Sequence, residues 1–308
     1  MSETEPTPTT AGPLIYDRAS GQQVRETVLG DSLLRLAYSW PCRWASEWLL
    51  FHNYLASRLL GWYADCRCSR RRIAPTIAQL GMDESEFLQP TSSYRTFNEF
   101  FTRRLKPGAR PFAADPASLC SPADCRLLVY PRLPEGHCIP VKGHPFSVSG
   151  LLGPTGEATA RQFDNGALAI CRLCPADYHR YHYPAEGNTL DAWEIAGRLH
   201  SVNPLALALR IPIFNQNRRS VSLLALARFG PVAFVEVGAF GVGGIVQTHR
   251  KPVFERGDEK GYFRFGGSTI VLVFRPGAAV FDDDLVAHSA AGIETLVRCG
   301  ERIGRSAG

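Results

Sequence analysis

Short apolar runs separated by turn residues fill the chain from about residue 115 onward, and this pattern constrains the fold most strongly. The runs include Leu127–Tyr130, Ala167–Cys171, Val232–Val237 and Thr269–Phe274. They have the length of strands, and Gly and Pro punctuate the segments between them. The pattern predicts a mostly-β domain. We therefore expect an α+β protein in which a helical N-terminal segment joins a mostly-β domain of antiparallel sheets.

Aromatic and leucine residues recur at helical spacing within residues 31–64, which predicts a helix. The residues that share one face are Trp44, Trp48, Phe51, Leu55, Leu59 and Trp62. Such a face packs on a core or lies in a membrane surface. The cluster of basic residues that follows favours the membrane interpretation. It consists of Arg67, Arg70, Arg71 and Arg72.

These patterns predict three parts of the chain and one further short helix. Residues 1–13, rich in Thr, Pro and Glu, are predicted to be a disordered tail. Residues 14–95 are predicted to be a helical, membrane-associating segment with a short helix at 71–80, and residues 96–308 to be the mostly-β domain. The sequence has no run of eighteen apolar residues, so it predicts no transmembrane helix.

Charge and cysteine content narrow the partners and the compartment. A second basic cluster forms either a solvated face or a surface that attracts anions. Aromatic residues do not interleave with these charges, so we expect no nucleic-acid partner. This cluster consists of Arg103, Arg104, Lys106 and Arg110. Nine Cys and no signal-peptide pattern favour a reducing compartment.

Two pairs of cysteines have the spacing that metal sites often use. Cys66 and Cys68, together with Cys171 and Cys174, offer four thiolates. Residues three apart on a strand point to opposite faces, however, and the second pair lies on or next to a predicted strand. We therefore predict no metal site and expect buried, inert thiols.

The sequence Gly266-Gly267-Ser268 stands directly before a long apolar run. One interpretation is a tight turn that leads into a strand. The other is a strained peptide bond whose carbonyl carbon is attacked by the Ser268 hydroxyl. An N-to-O acyl shift then gives an ester, and elimination and hydrolysis leave a pyruvoyl group at the new N-terminus.

Two histidines and one aspartate are candidates for proton transfer. His179 and His182 stand three residues apart in an aromatic segment that ends at Pro184. An imidazole at such a position is either a general base or a structural group. Asp124 either orients a catalytic histidine, as in a triad, or forms a turn.

From about residue 92 to the end, the chain resembles the phosphatidylserine decarboxylase family, because these residues lie in segments that match the family's motifs in the same order. The matching segments are 97–101 with 103–111, 121–124, 141–147, 177–182, 201–204 and 257–269. The resemblance implies that Ser268 is the precursor of a covalent pyruvoyl cofactor, a bound form of pyruvate. Cleavage between Gly267 and Ser268 would give a large chain, 1–267, and a small chain, 268–308.

The resemblance also implies roles and partners. Asp124 and His182 match the partners of Ser268 in a self-cleavage triad, with His182 as the base. His179 matches the histidine of the decarboxylation step. The implied reaction converts phosphatidylserine to phosphatidylethanolamine at a membrane surface, in a homodimer that is a peripheral membrane protein on the cytoplasmic face.

Two alternatives remain open on the sequence. The first is a pyruvoyl-dependent decarboxylase whose substrate is a soluble amino acid such as tryptophan, as in some relatives. The second is a non-catalytic, lipid-binding relative that is never cleaved. Three positions depart from the usual family pattern and bear on the substrate. Cys125 stands where Gly is usual, Phe146 where Tyr is usual, and Arg218 where Glu is usual.

Overall fold

The computed structural model describes residues 12–26, 54–133, 139–141, 144–197, 213–238, 244–266 and 268–308. Its helices are α1 Tyr54–Asp65, α2 Ile73–Leu80, α3 Phe97–Phe101, α4 Val148–Leu152, α5 Glu157–Ala160, α6 Ile213–Gln216 and α7 Asp283–Ala290. Its strands are β1 Leu14–Asp17, β2 Gln22–Arg25, β3 Ser118–Cys120, β4 Cys125–Tyr130, β5 Ile139–Val141, β6 His144–Phe146, β7 Ala167–Leu173, β8 Arg180–His182, β9 Gly187–Ile195, β10 Arg219–Leu226, β11 Gly230–Gly238, β12 Ile245–Gln247, β13 Val253–Phe254, β14 Glu259–Phe263, β15 Ser268–Phe274, β16 Ala279–Phe281, β17 Glu294–Val297 and β18 Arg302–Ser306. Within these ranges, no helix has both the length and the apolar content that crossing a bilayer requires.

A ten-stranded sheet forms the centre of the fold. Its strand order is β13-β9-β10-β11-β15-β7-β4-β17-β1-β2. Neighbouring strands are antiparallel except for β1 and β17, which run parallel. The four apolar runs predicted to be strands are confirmed as parts of β4, β7, β11 and β15. The predicted α+β class is therefore also confirmed.

Strand β15 lies between β11 and β7, and every one of its residues is buried. Ile270, Leu272 and Phe274 belong to one core, and Val271 and Val273 to a second core on the opposite face. A strand that is covered on both faces needs apolar side chains at successive positions. This explains why β15 reads as a continuous apolar run.

A three-stranded sheet of order β12-β14-β8 covers the face of the first core. Tyr181 of β8 and Phe263 of β14 are buried members of that core. Because β8 also carries His182, this packing brings the histidine segment to the side of the large sheet on which Ile270 and Leu272 lie.

The N-terminal hairpin corrects one prediction. Residues 14–25 were expected to be helical, but they form β1 and β2, with Gly21 in the connecting turn at φ 68°. Ile15 is buried and pairs with Glu294 of β17, so this hairpin extends the large sheet. The helical interpretation is wrong here because contact with a distant strand decides the conformation of these short segments.

Helices form much of the described chain between residues 54 and 101. The predicted short helix at 71–80 is confirmed as α2. The helix predicted within 31–64 is seen in part, as α1, because residues 31–53 lie outside the described residues. The predicted tail also lies outside them except for residues 12 and 13. The division into domains stays a prediction. Helices α2 and α3 enclose a separate aromatic core, whose buried members are Ile73, Ile77, Phe87, Tyr94, Phe97, Phe100 and Phe101.

Candidate active site

Ser268 is the first residue of β15 and lies opposite Gly238 on one side and Leu173 on the other. Its side chain is buried, and its Oγ has no hydrogen-bond partner among the described residues. A buried hydroxyl without a partner costs about 1–3 kcal/mol, so it marks a group that a chemical role can explain. Gly266 precedes it with φ 146°, in the region that favours glycine. Gly267, the other side of the predicted cleavage bond, lies outside the described residues.

The segment before Ser268 is anchored on the aromatic core. The amide N–H of Phe265 donates to Oδ1 of Asn98 at 2.8 Å. The Phe265 ring meets the rings of Phe97 and Phe101 edge-on, with centroid distances of 4.9 and 5.2 Å. Helix α3 therefore holds the chain three residues ahead of the predicted cleavage point.

His179 lies on the same aromatic core. Its ring lies against that of Phe101, tilted by 39° with centroids 3.8 Å apart, and its backbone carbonyl accepts a hydrogen bond from the N–H of Phe263. Nδ1 lies 2.9 Å from the carbonyl oxygen of Asp177, whereas Nε2 has no partner among the described residues. Phe101 thus contacts both His179 and the segment that leads to Ser268.

Burial lowers the pKa of His179 to about 3. The carbonyl of Asp177 opposes this shift, and the cations Arg103 and Arg126 reinforce it. The ring is therefore neutral at pH 7. A carbonyl oxygen only accepts hydrogen bonds, so the proton of the neutral ring is on Nδ1 and Nε2 is the free basic atom.

His182 lies in β8, with its ring between Tyr178 and Phe112. Nδ1 lies 2.8 Å from the carbonyl oxygen of Gly257, and Nε2 lies 3.3 Å from the hydroxyl of Tyr178. Nδ1 therefore donates and Nε2 is the unprotonated nitrogen. Burial lowers the pKa of His182, against the opposing effect of the Gly257 carbonyl.

Asp124 lies in the turn between β3 and β4. Both of its carboxylate oxygens accept from Arg110 at 2.8 Å, and Oδ1 also accepts from the backbone N–H of Cys299 at 2.8 Å. The backbone N–H of His182 donates to the carbonyl of Pro122 in the same turn. The structure thus brings the Asp124 turn and His182 together. Among the described residues, no hydrogen bond joins the Asp124 carboxylate to the His182 imidazole or either group to Ser268. The Asp124 charge acts on the imidazole only through space, where it opposes the effect of burial by raising the pKa of His182.

Several arginines near the site were not predicted as site residues. Arg103 is buried and Arg110 is mostly buried, so a solvated face is the wrong interpretation for these two members of the second basic cluster. Arg126 binds the carboxylate of Asp177. Their partners are distant in sequence, so charge type alone gave no signal for their burial. The one available signal was that Arg103, Arg110 and Asp177 all lie inside the family-like segments.

No described hydrogen bond joins a cysteine side chain or Arg218 to Ser268, His179 or His182. The prediction of buried thiols is confirmed for Cys171 and Cys174. It is wrong for Cys68, which is exposed because the 3-10 segment Arg67–Arg72 runs along the surface. Arg218, which departs from the family pattern, pairs with Glu194 at an exposed position.

Comparison with known proteins defines the class. The family model for phosphatidylserine decarboxylase matches residues 97–305. The chain is 38% identical over 293 residues to the phosphatidylserine decarboxylase proenzyme of Chlamydia trachomatis serovar L2, covering 95% of this chain and 97% of the relative. It is 38% identical over 291 residues to the proenzyme of the same name from Ruminiclostridium cellulolyticum, covering 94% and 96%. The proenzyme from Clostridium botulinum is 37% identical over 290 residues, covering 94% and 98%.

The matched region contains the buried serine, both histidines and the aspartate described above. The chain belongs to the phosphatidylserine decarboxylase family, a family of enzymes. The resemblance seen in the sequence motifs is therefore confirmed.

Proposed function

We propose that this protein decarboxylates phosphatidylserine to phosphatidylethanolamine with a pyruvoyl group made from Ser268. One observation carries the proposal: the Ser268 hydroxyl is buried without a partner at the start of the central strand. The preceding Gly266, at φ 146°, gives the chain a conformation that other residues rarely adopt. The relatives are named proenzymes, which agrees with a chain that is processed before it acts.

His182 is proposed to be the base for self-cleavage. It is neutral because burial lowers its pKa, and its unprotonated nitrogen, Nε2, accepts a hydrogen bond from the Tyr178 hydroxyl. A rotation of Tyr178 would free this nitrogen to take the proton of the Ser268 hydroxyl as that oxygen attacks the preceding carbonyl. Asp124 supports His182 through the turn whose Pro122 carbonyl accepts the His182 N–H.

His179 is proposed to move the proton during decarboxylation. The pyruvoyl group supplies an electron sink for the electron pair left when carbon dioxide departs. The substrate nitrogen loses a proton when it condenses with the ketone, and Nε2 of His179 can hold that proton only briefly, because burial disfavours the cationic ring. The same nitrogen can return this proton to the carbon that lost carbon dioxide, and the released amine then takes a proton from water.

The surface around α1 supports a membrane as the partner. Leu59 and Trp62, three residues apart, have exposed fractions of 57% and 72%. The cluster Arg67–Arg72 follows, with its four arginines exposed. Apolar side chains beside cations are the surface that binds anionic lipid. A cleft of about 170 Å³ lies beside α1, and its walls include apolar Leu60 and Phe265 and the cation Arg72.

The remaining partners follow from the same proposal. The large and small chains come from one precursor and stay together. Two copies form a homodimer, and the protein is a peripheral membrane protein on the cytoplasmic face. Light scattering of the purified protein tests the dimer, because a mass of one copy contradicts it.

Mass analysis and a substrate comparison test the reaction. Purified protein should contain a small chain of 41 residues, from Ser268 to Gly308, with a blocked N-terminus that reacts as a ketone. Vesicles that contain phosphatidylserine should release carbon dioxide, whereas free tryptophan should not. Folded protein that stays a single chain with an intact Ser268 would contradict the whole proposal. Release of carbon dioxide from tryptophan but not from lipid would contradict the proposed substrate.

A further inference from the structure

Arg103 follows helix α3 and has an exposed fraction of only 4%. Its Nη2 donates to the carbonyl oxygens of Ala176 at 2.8 Å and Asp177 at 3.0 Å. The guanidinium also lies over the rings of Phe87 and Phe100, at 5.0 and 5.2 Å from the centroids. Among the described residues, no carboxylate pairs with it. A buried cation whose hydrogen bonds go to backbone carbonyls needs an explanation beyond stability, because its desolvation is costly.

The carbonyl of Asp177 is shared between Arg103 and His179. The same oxygen accepts from Nη2 of Arg103 at 3.0 Å and from Nδ1 of His179 at 2.9 Å. The guanidinium therefore fixes the group that orients the imidazole. With Nδ1 committed to this carbonyl, only Nε2 is left for chemistry.

The charged groups around His179 disfavour the cationic form of its ring, so a proton on Nε2 is readily given up. Arg103 approaches from the end of α3 and Arg126 from β4, and both disfavour a positive imidazole. The carboxylate of Asp177 does not act as a counter-ion for the ring, because Arg126 and the N–H of Cys174 bind it. The Phe101 ring covers one face of the imidazole.

We infer that Arg103 is a positioning residue for decarboxylation, which locks His179 in the tautomer with a free Nε2 through the carbonyl of Asp177. The inference rests on the proposed function, in which Nε2 carries the proton between the substrate nitrogen and carbon. It assigns no part in self-cleavage to Arg103, because the proposed base for that step is His182. Arg103 therefore acts after the pyruvoyl group has formed.

The test compares Arg103→Met and Arg103→Lys with Arg104→Met, a neighbouring arginine that is exposed. A short-chain, monomeric phosphatidylserine removes membrane binding from the measurement. All three variants should be cleaved into two chains. For Arg103→Met we expect kcat to fall about 10- to 100-fold, the usual range for a residue that orients a catalytic ligand or base, with KM nearly unchanged. Arg103→Lys should recover part of kcat, and Arg104→Met should match the unmodified protein.

The pH profile separates this role from a merely structural one. Because the Arg103 cation lies near the imidazole and disfavours its positive form, we expect the acid limb of kcat against pH to move to higher pH in Arg103→Met. The shift should be smaller in Arg103→Lys, which carries the test if Arg103→Met does not fold. Cleaved, active variants whose acid limb coincides with that of the unmodified protein would overturn the inference. An unmodified protein that is neither cleaved nor active would instead overturn the proposed function.

Discussion

The hydroxyl of Ser268 and that of its neighbour Thr269 are both buried without hydrogen-bond partners in the described part of the chain. Only Ser268 is predicted to react. Ser268→Ala should therefore remain one chain on a denaturing gel, whereas Thr269→Val should be cleaved as fast as the unmodified protein. Because the Thr269 hydroxyl makes no hydrogen bond, Thr269→Val should also lose no stability in urea. A 41-residue fragment from Ser268→Ala would refute the assignment of the cleavage point.

The lowered pKa of His179 predicts that the stability of the folded chain depends on pH. Its pKa is about 3 in the folded chain against 6.5 for an ordinary histidine. The unfolded chain therefore binds more protons below pH 6.5, so stability is present above that pH and is lost as the pH falls towards 3. The loss is at most about 1.4 kcal/mol per pH unit.

Urea unfolding of the single-chain variant Ser268→Ala at pH 7 and pH 5.5 measures this effect. Adding His179→Leu should reduce the dependence, because the leucine binds no proton in either state, and the remainder should come from groups such as His182, whose pKa burial also lowers. Equal loss of stability on acidification in both proteins would show that His179 does not contribute to it.

At the scale of elements, the N-terminal hairpin is tied to the sheet by buried charge. Glu26, just after β2, pairs with Arg126 at 2.6 Å and with Arg172 at 2.8 Å. Glu26→Gln removes one carboxylate from each buried arginine, but Arg126 keeps Asp177 and Arg172 keeps Glu294, so we expect a loss of about 1–3 kcal/mol. Glu194→Gln breaks the exposed pair with Arg218 and should cost less than about 1 kcal/mol.

Urea unfolding in the Ser268→Ala background measures both variants as single chains. The comparison is matched, since each change converts a glutamate that pairs with arginine into glutamine. If the two losses are equal, the buried pairs of Glu26 do not anchor the hairpin.

The sequence predicted the central elements better than the peripheral ones, and β15 and β1 show why. The run Thr269–Phe274 lies in a strand that is buried on both faces, so its composition alone indicates its place. Strand β1 has four residues of mixed polarity, and it pairs with β17 about 280 residues later. A short segment that depends on so distant a partner carries little local signal.

The candidate site shows the same division. His179, His182 and Ser268 lie in segments recognisable by their motifs. The burial of Arg103, by contrast, depends on carbonyls at residues 176 and 177 and on the rings of the aromatic core. No pattern near Arg103 distinguishes it from the exposed Arg104 beside it.

At the scale of the whole molecule, the apolar and basic surface at α1 predicts how the protein meets its substrate. The double variant Leu59→Ser with Trp62→Ser should bind phosphatidylserine vesicles at least tenfold more weakly in a sedimentation assay, because two exposed apolar side chains no longer enter the interface. Activity on a monomeric short-chain substrate should persist.

Leu190→Ser is the matched control, since Leu190 is 52% exposed on β9. It should bind vesicles like the unmodified protein. If both surfaces affect binding equally, α1 is not the membrane-binding element.

The position of β15 has a consequence for the finished enzyme. After a cut before Ser268, the small chain still contributes β15 between β11 and β7, and β17 between β4 and β1. The two polypeptides are interleaved, so neither can leave without dismantling the other. Once denatured, the processed protein must reassemble as a bimolecular reaction, whereas its precursor refolds alone. If the chain is processed as proposed, recovery of its fold depends on protein concentration.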